Sequence, residues 1–143
     1  MSAQRNFSRY FTASADKVFS YHSVSEFLAH RAHSGISHIE YSEGAIDLML
    51  IQRNSPNFVV MFHAAANPIT TTLPVFVGQR ITQELDASVL FCSDPALDSK
   101  IPIGWFAGAN NWPLQSDLTT IIQHVGNSVG AQHFIFQGAS AGG

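Results

Sequence analysis

Apolar and polar residues alternate along two neighbouring stretches in the first half of the chain. From Ser37 the apolar positions recur at every second residue, through Ile39 and Tyr41, and the same period returns over residues 46–50. Residues 42–44, with the sequence Ser-Glu-Gly, separate the two stretches and are typical of a tight turn. The pattern therefore predicts a β-hairpin.

Three short apolar runs predict further strands. Residues 58–62 (FVVMF) and 88–93 (SVLFCS) are continuous apolar segments, which are typical of strands buried on both faces. The first of them is expected to be a central strand with parallel neighbours. Residues 133–137 (HFIFQ) form a third short apolar strand.

Spacings of three and four residues predict two minor helices. Apolar residues at these spacings favour a helix within residues 18–32, which would end near Gly35. Val77, Ile81 and Leu85 follow one another at intervals of four and predict a short helix before the second buried strand.

The clearest helical pattern lies in the last third of the chain. Pro113 is suited to the first turn of this helix, Asn111 to capping it and Gly126 to a position near its end. Its apolar face consists of Leu114, Leu118, Ile121, Ile122 and Val125.

Strands separated by helix-length segments favour an α/β domain. We expect a mostly parallel sheet with helices on both faces, starting with the β-hairpin. Residues 1–36 would be an N-terminal lead-in with a helix, and residues 37–143 would form a partial α/β domain.

Composition narrows the classes of function. Hydrophobic residues make up 45% of the chain, as a globular core requires, whereas charged residues make up only 12%, about half of the usual share. This low charge suggests missing sequence. The net charge is −3 and the basic residues are scattered, which argues against nucleic acid and membrane surfaces as partners. Cys92 is the only cysteine, which favours a reducing compartment such as the cytoplasm.

The candidate chemistry lies at the end of the sequence. Residues 138–142 read Gly-Ala-Ser-Ala-Gly, which matches the G-x-S-x-G nucleophile elbow, and an apolar strand precedes them. Such a serine sits in a strained turn, so its neighbours must be small; Gly138 and Gly142 meet this requirement. A plain strand-to-helix turn is the alternative interpretation of this motif.

With this motif and this order of elements, residues 37–143 resemble the N-terminal half of the α/β-hydrolase family. The resemblance implies that Ser140 is the nucleophile of a serine hydrolase, of the esterase or acyl-ester class, or of an acyl transferase. It also implies a small-molecule acyl substrate, no cofactor and no metal. The backbone amides of Ala141 and of Ala64 or Ala65 would form the oxyanion hole.

His63 belongs to the segment Phe-His-Ala-Ala-Ala, which looks like a variant of the family's oxyanion loop. A histidine that braces this loop is the favoured interpretation of His63, and a base that serves Ser140 is the alternative. His30, His33 and His38 lack a known metal-ligand spacing.

In the family, the acid and the histidine of the triad follow the nucleophile, so both would lie beyond residue 143. The chain is then expected to be an N-terminal fragment that is inactive alone and pairs with itself or with a complementing C-terminal half. The alternative function is a non-catalytic α/β interaction domain, whose last apolar strand would lie near a sheet edge and pair with a partner chain.

Polar and aromatic residues between the second buried strand and the last helix receive structural interpretations. Asp94 and Asp98 are ordinary turn-forming carboxylates. Trp105 and Trp112 bracket a glycine-containing loop that is expected to pack over the sheet. A loop that lines a pocket is the alternative.

Overall fold

The computed structural model describes residues 4–10, 17–109 and 111–140, which form one six-stranded sheet and three α-helices. Short 3-10 turns span Ser8–Tyr10 and Pro95–Ser99. The strands are β1 (Val18–Tyr21), β2 (Gly35–Tyr41), β3 (Gly44–Ile51), β4 (Asn57–Phe62), β5 (Ser88–Ser93) and β6 (His133–Gln137). The helices are α1 (Val24–Leu28), α2 (Gln79–Thr82) and α3 (Leu114–Ser128).

The strand order is β1-β2-β3-β5-β4-β6, and the middle of the sheet is antiparallel. β3 runs antiparallel to both β2 and β5, whereas β1 is parallel to β2, and β4 is parallel to both β5 and β6. The prediction of a mostly parallel sheet is therefore wrong. The tight turn at Ser42 and Glu43 folds β3 back against β2, and β5 then pairs with the other edge of β3.

The hairpin and the two buried strands are confirmed. Tyr41 pairs with Gly44 across the hairpin turn. β4 has a parallel neighbour on each side and a buried centre, and every residue of β5 is buried. The third apolar run forms β6 at the edge of the sheet, where all five residues are exposed.

The helices are shorter than the sequence predicts, except for α3. Residues 18–21 form strand β1 instead of the start of a helix, because they pair with β2. α1 begins after Ser23, whose side chain accepts a hydrogen bond from the Glu26 N–H at 3.0 Å. α3 begins after Pro113 rather than at an Asn111 cap, and Gly126 lies within its last turn.

The prediction of helices on both faces is also wrong. α1 and α3 cover one face, where α3 packs on side chains such as Phe58 and Val60. α2 is a single turn that buries only Thr82. α2 is too short to cover the second face. Side chains of Phe76 and Ala87 pack there instead, together with Phe7 and Tyr10 of the N-terminal segment at residues 4–10.

A buried ion-pair network ties the N-terminal segment to the sheet. Arg5 donates from both terminal guanidinium nitrogens to the two carboxylate oxygens of Asp98, each at 2.6 Å. Its Nε donates to Asp47 at 3.0 Å, and the other oxygen of Asp47 lies 2.6 Å from His38 Nδ1. Arg5 thus anchors part of the predicted lead-in on β3. Strand β1 also belongs to the predicted lead-in, and it forms an edge of the same sheet.

None of the helices in the described part of the chain is both long enough and apolar enough to cross a membrane.

Candidate functional site

The site lies where β4 and β6 end side by side. These parallel neighbours are paired up to Met61 and Gln137. Ala64 and Ser140 each follow that last pair by three residues, at the same edge of the sheet. The carboxyl ends of parallel strands form the edge at which ligands bind in open α/β sheets.

Ser140 has a left-handed backbone. Its φ is 52°, a value that residues with a side chain rarely adopt and that costs about 1–3 kcal/mol unless the surroundings impose it. The residue is exposed at the end of an apolar strand. A strained serine in this position is what a nucleophile elbow requires, while the reactivity of Ser140 stays a prediction. Ala141 and Gly142 lie outside the described residues.

His63 is buried and uses both ring nitrogens. Nδ1 lies 2.6 Å from the Ala64 carbonyl oxygen, and Nε2 accepts a hydrogen bond from the Asp94 N–H at 2.9 Å. Burial lowers the pKa of His63, although the bond to Ala64 and the charge of Asp94 act in the opposite direction. A neutral ring that donates from Nδ1 fits both contacts. The geometry favours the bracing role over the role of a base.

The other six histidines are placed away from Ser140. His133 begins β6, at the opposite end of this strand from Ser140. Each of the remaining five contacts a residue of its own surroundings: His22 with Glu40, His30 with Glu26, His33 with Phe19, His38 with Asp47 and His124 with the His30 carbonyl. Within the described residues, no histidine is positioned to accept the Ser140 proton.

Asp94 organises a strained loop beside the site. This buried carboxylate accepts hydrogen bonds from the Ala96 N–H at 3.0 Å and from the Phe106 N–H at 2.9 Å. Trp105 and Phe106 both have left-handed backbones, with φ of 58° and 50°. A Cβ atom added to Gly104 would fall 2.5 Å from Asp94 Oδ2, so only glycine allows this approach.

A cleft of about 640 Å³ opens between this loop, α3 and β6. Phe62 lines it, and the centroid of its ring lies 5.0 Å from that of Phe106 and 6.4 Å from that of Phe136. Gly138 contributes to the lining and precedes Ser140 by two residues. The complete lining is Phe62, Trp105, Phe106, Gln115, Leu118, Thr119, Ile122, Phe136, Gln137 and Gly138.

Two of the predicted oxyanion residues, Ala64 and Ala65, lie close to this cleft. Ala64 and Ala65 border a small cavity whose walls include Trp105 and Phe106, which also line the cleft. The role of their amides stays a prediction. In the described part of the chain, no group of three or more His, Cys, Asp or Glu side chains could hold a metal ion.

Asp94 and Phe106 are the site residues that the sequence did not reveal, and for Trp105 the pocket-lining role was the alternative rather than the favoured interpretation. Trp105 lines the cleft with 59% of its surface exposed, rather than packing over the sheet as predicted. The only sequence signal was Gly104 immediately before two aromatic residues, which is compatible with an unusual backbone.

Comparison of the chain with protein-family models, curated proteins and solved structures finds no match.

The lowered pKa of His63 predicts a pH-dependent contribution to stability. Because the unfolded histidine titrates near 6.5 and the folded one below this value, the unfolded chain binds the proton first as the pH falls. The free energy of unfolding should fall below pH 6.5 and level off below the folded pKa. Between pH 7.5 and pH 5, the free energy of unfolding should fall less in His63→Gln than in the unchanged protein. Urea unfolding at both pH values would measure this difference. An equal loss in both proteins would contradict this contribution.

Proposed function

We propose that this chain carries the nucleophile turn of a serine hydrolase or acyl transferase that acts on small acyl esters. Ser140 would attack the carbonyl carbon. The observation that carries the proposal is the left-handed backbone of Ser140 at the carboxyl end of β6. The resemblance to the α/β-hydrolase family then depends on this turn, and not on a mostly parallel sheet.

The proposed reaction is acyl transfer to the serine hydroxyl. The Ser140 oxygen bonds to the carbonyl carbon while its hydroxyl proton passes to a base. The bond from the carbonyl carbon to the ester oxygen then breaks, and the base returns the proton to this oxygen, which leaves as the alcohol. The amides of Ala64 or Ala65 and of Ala141 are the proposed donors to the oxygen that becomes negative. Ala64 follows the last residue pair of β4 and β6 by three residues, which supports this assignment.

The base is proposed to come from a partner polypeptide, such as a complementing C-terminal half. His63 is engaged with Ala64 and Asp94, and the other histidines of the described residues are elsewhere. A serine hydroxyl without a base is a weak nucleophile. We therefore expect the chain alone to be almost inactive. The proposed compartment is the cytoplasm, which the lone buried Cys92 suits.

Imidazole can stand in for the missing base in a direct test. We expect the chain treated with 4-nitrophenyl butyrate to gain a butyryl group on Ser140 at a rate that rises with added imidazole. Ser42 is a matched internal reference, because it is also exposed and also left-handed, with φ of 54°, but lies in the hairpin turn. Peptide mass spectrometry should find Ser140 acylated about tenfold faster than Ser42, a difference of about 1.4 kcal/mol in barrier.

Two results would contradict the nucleophile assignment. One is equal acylation of Ser140 and Ser42, since a merely exposed serine would give it. The other is a total acylation that is the same in Ser140→Ala as in the unchanged chain. Ser42→Ala is the matched variant for this comparison.

A non-catalytic interaction domain is the second candidate, and the exposed apolar edge strand favours it. Phe134, Ile135 and Phe136 are 39%, 48% and 58% exposed on β6. An exposed apolar edge strand is a surface on which another strand can pair. This role predicts that Ser140→Ala leaves every property of the chain unchanged, which separates it from the enzymatic proposal.

A further inference from the structure

We propose that the cleft between β6, α3 and the loop at residues 104–106 binds the acyl group of the substrate, and that this group is uncharged and ends in an aromatic ring. The identity of the ligand as an acyl group depends on the function proposed above. The preference for a neutral aromatic ligand depends only on the cleft.

The lining carries no charge. Its polar side chains are those of Gln115, Thr119 and Gln137, and the other side chains are apolar. A carboxylate or an ammonium group that enters this cleft would lose its hydration without gaining an oppositely charged partner. The cost of losing hydration is much smaller for a neutral ligand. Amide and hydroxyl groups can still bond a neutral polar atom.

Aromatic rings form the walls. Phe62 stacks with Phe136 at an interplanar angle of 13° and meets Phe106 edge to face at 72°. Phe136 and Trp105 leave more than half of their surfaces exposed, so each can still contact a ligand. Aromatic rings favour offset-stacked and edge-to-face partners, and these walls offer both orientations.

The Trp105 wall is held in place before any ligand arrives. Trp105 and Phe106 keep left-handed backbones, and Asp94 fixes Phe106 through its N–H. Buried contacts impose a strained backbone on an exposed aromatic residue here. Strained backbones of this kind are found at ligand sites. A fixed wall loses less freedom on binding than a mobile one, which favours affinity.

The cleft has a suitable size and position for an acyl chain. Its volume of about 640 Å³ lies within the range usual for small-molecule sites. Gly138 lines it and precedes Ser140 by two residues. The ring of an acyl group could therefore occupy the cleft while its carbonyl carbon lies near the serine.

The test uses two ligands of nearly equal shape, 4-(4-carbamoylphenyl)butanamide and 4-(4-carboxyphenyl)butanamide, whose ring ends carry a neutral amide and a carboxylate. Neither is activated for acyl transfer, so binding is measured apart from the reactivity of Ser140. Titration followed by ¹H–¹⁵N NMR should show saturable shifts of the Trp105 indole and of the Gln115 and Gln137 side-chain amides. We expect the diamide to bind about fivefold more tightly than the carboxylate or better.

Phe136→Ala and Ile135→Ala form the matched pair of variants. The two residues are neighbours on β6, are similarly exposed and point to opposite faces, and only Phe136 lines the cleft. Phe136→Ala should weaken diamide binding about fivefold, whereas Ile135→Ala should change it less than about twofold. Trp105→Gly, which suits the left-handed backbone, should weaken binding as Phe136→Ala does and serves if Phe136→Ala does not fold.

Equal affinity for the two ligands would overturn the inference. So would diamide binding that neither Phe136→Ala nor Trp105→Gly weakens. Binding with the expected pattern but without Ser140 acylation would support the cleft and refute the proposed nucleophile. Ser140 acylation without shifts at the cleft would refute the inference and leave the proposed function standing.

Discussion

Replacing Arg5 with alanine should lower the free energy of unfolding by about 3–5 kcal/mol, because removing one partner of a buried ion pair leaves the other charge uncompensated. Arg5 bonds both oxygens of Asp98 and one oxygen of Asp47. The side chains of these two carboxylates are only 6% and 1% exposed. Equilibrium urea unfolding followed by circular dichroism would measure the difference.

Arg9→Ala is the matched control, since Arg9 lies on the same segment. Its guanidinium donates to the carbonyl oxygens of Thr72 and Pro74, but the residue is exposed and bonds no buried carboxylate. Its loss should cost about 1 kcal/mol. Equal losses in Arg5→Ala and Arg9→Ala would show that the network is no stronger than surface contacts.

Replacing Asp94 with alanine should lower the free energy of unfolding by about 2–4 kcal/mol, because each buried donor left without an acceptor costs about 1–3 kcal/mol. The two donors are the N–H groups of Ala96 and Phe106, both in buried residues. The loop at residues 104–106 should also lose its single conformation, since this carboxylate bonds one of its two strained residues. Urea unfolding would measure the stability.

The loop itself can be followed by the ¹H–¹⁵N NMR signals of Trp105 and Phe106, which should broaden or shift in Asp94→Ala. Asp86→Ala is the control, because Asp86 is an exposed aspartate in the turn before β5. It should change the free energy of unfolding by less than about 0.5 kcal/mol. Unchanged loop signals in Asp94→Ala would show that other contacts impose the strained backbone.

Local patterns account for the elements that the sequence predicted well. Period-two alternation around residues 42–44 specified the hairpin, and the runs that became β4 and β5 were apolar enough to identify them as buried strands. The apolar face from Leu114 to Val125 specified α3. These signals are local, because burial and periodicity act within a single element.

Residues 18–32 show where a local pattern fails. Their apolar spacing suits a helix, yet Val18–Tyr21 pair with β2, and only Val24–Leu28 are helical. Val, Phe and Tyr are strong strand formers, so a neighbouring strand can override a helical spacing. The orientation of β3 against β5 was likewise beyond local reasoning, since it depends on two segments roughly 40 residues apart.

The sequence by itself determined the strand elements of the site and the motif around Ser140, because composition and spacing are sufficient for both. Only the tertiary structure decided that Ser140 is left-handed and that Asp94 bonds Phe106 beside a cleft lined by Trp105 and Phe106. The physical reason is that strained backbones persist only where distant contacts impose them. Such contacts join residues far apart in the chain, and no local pattern records them.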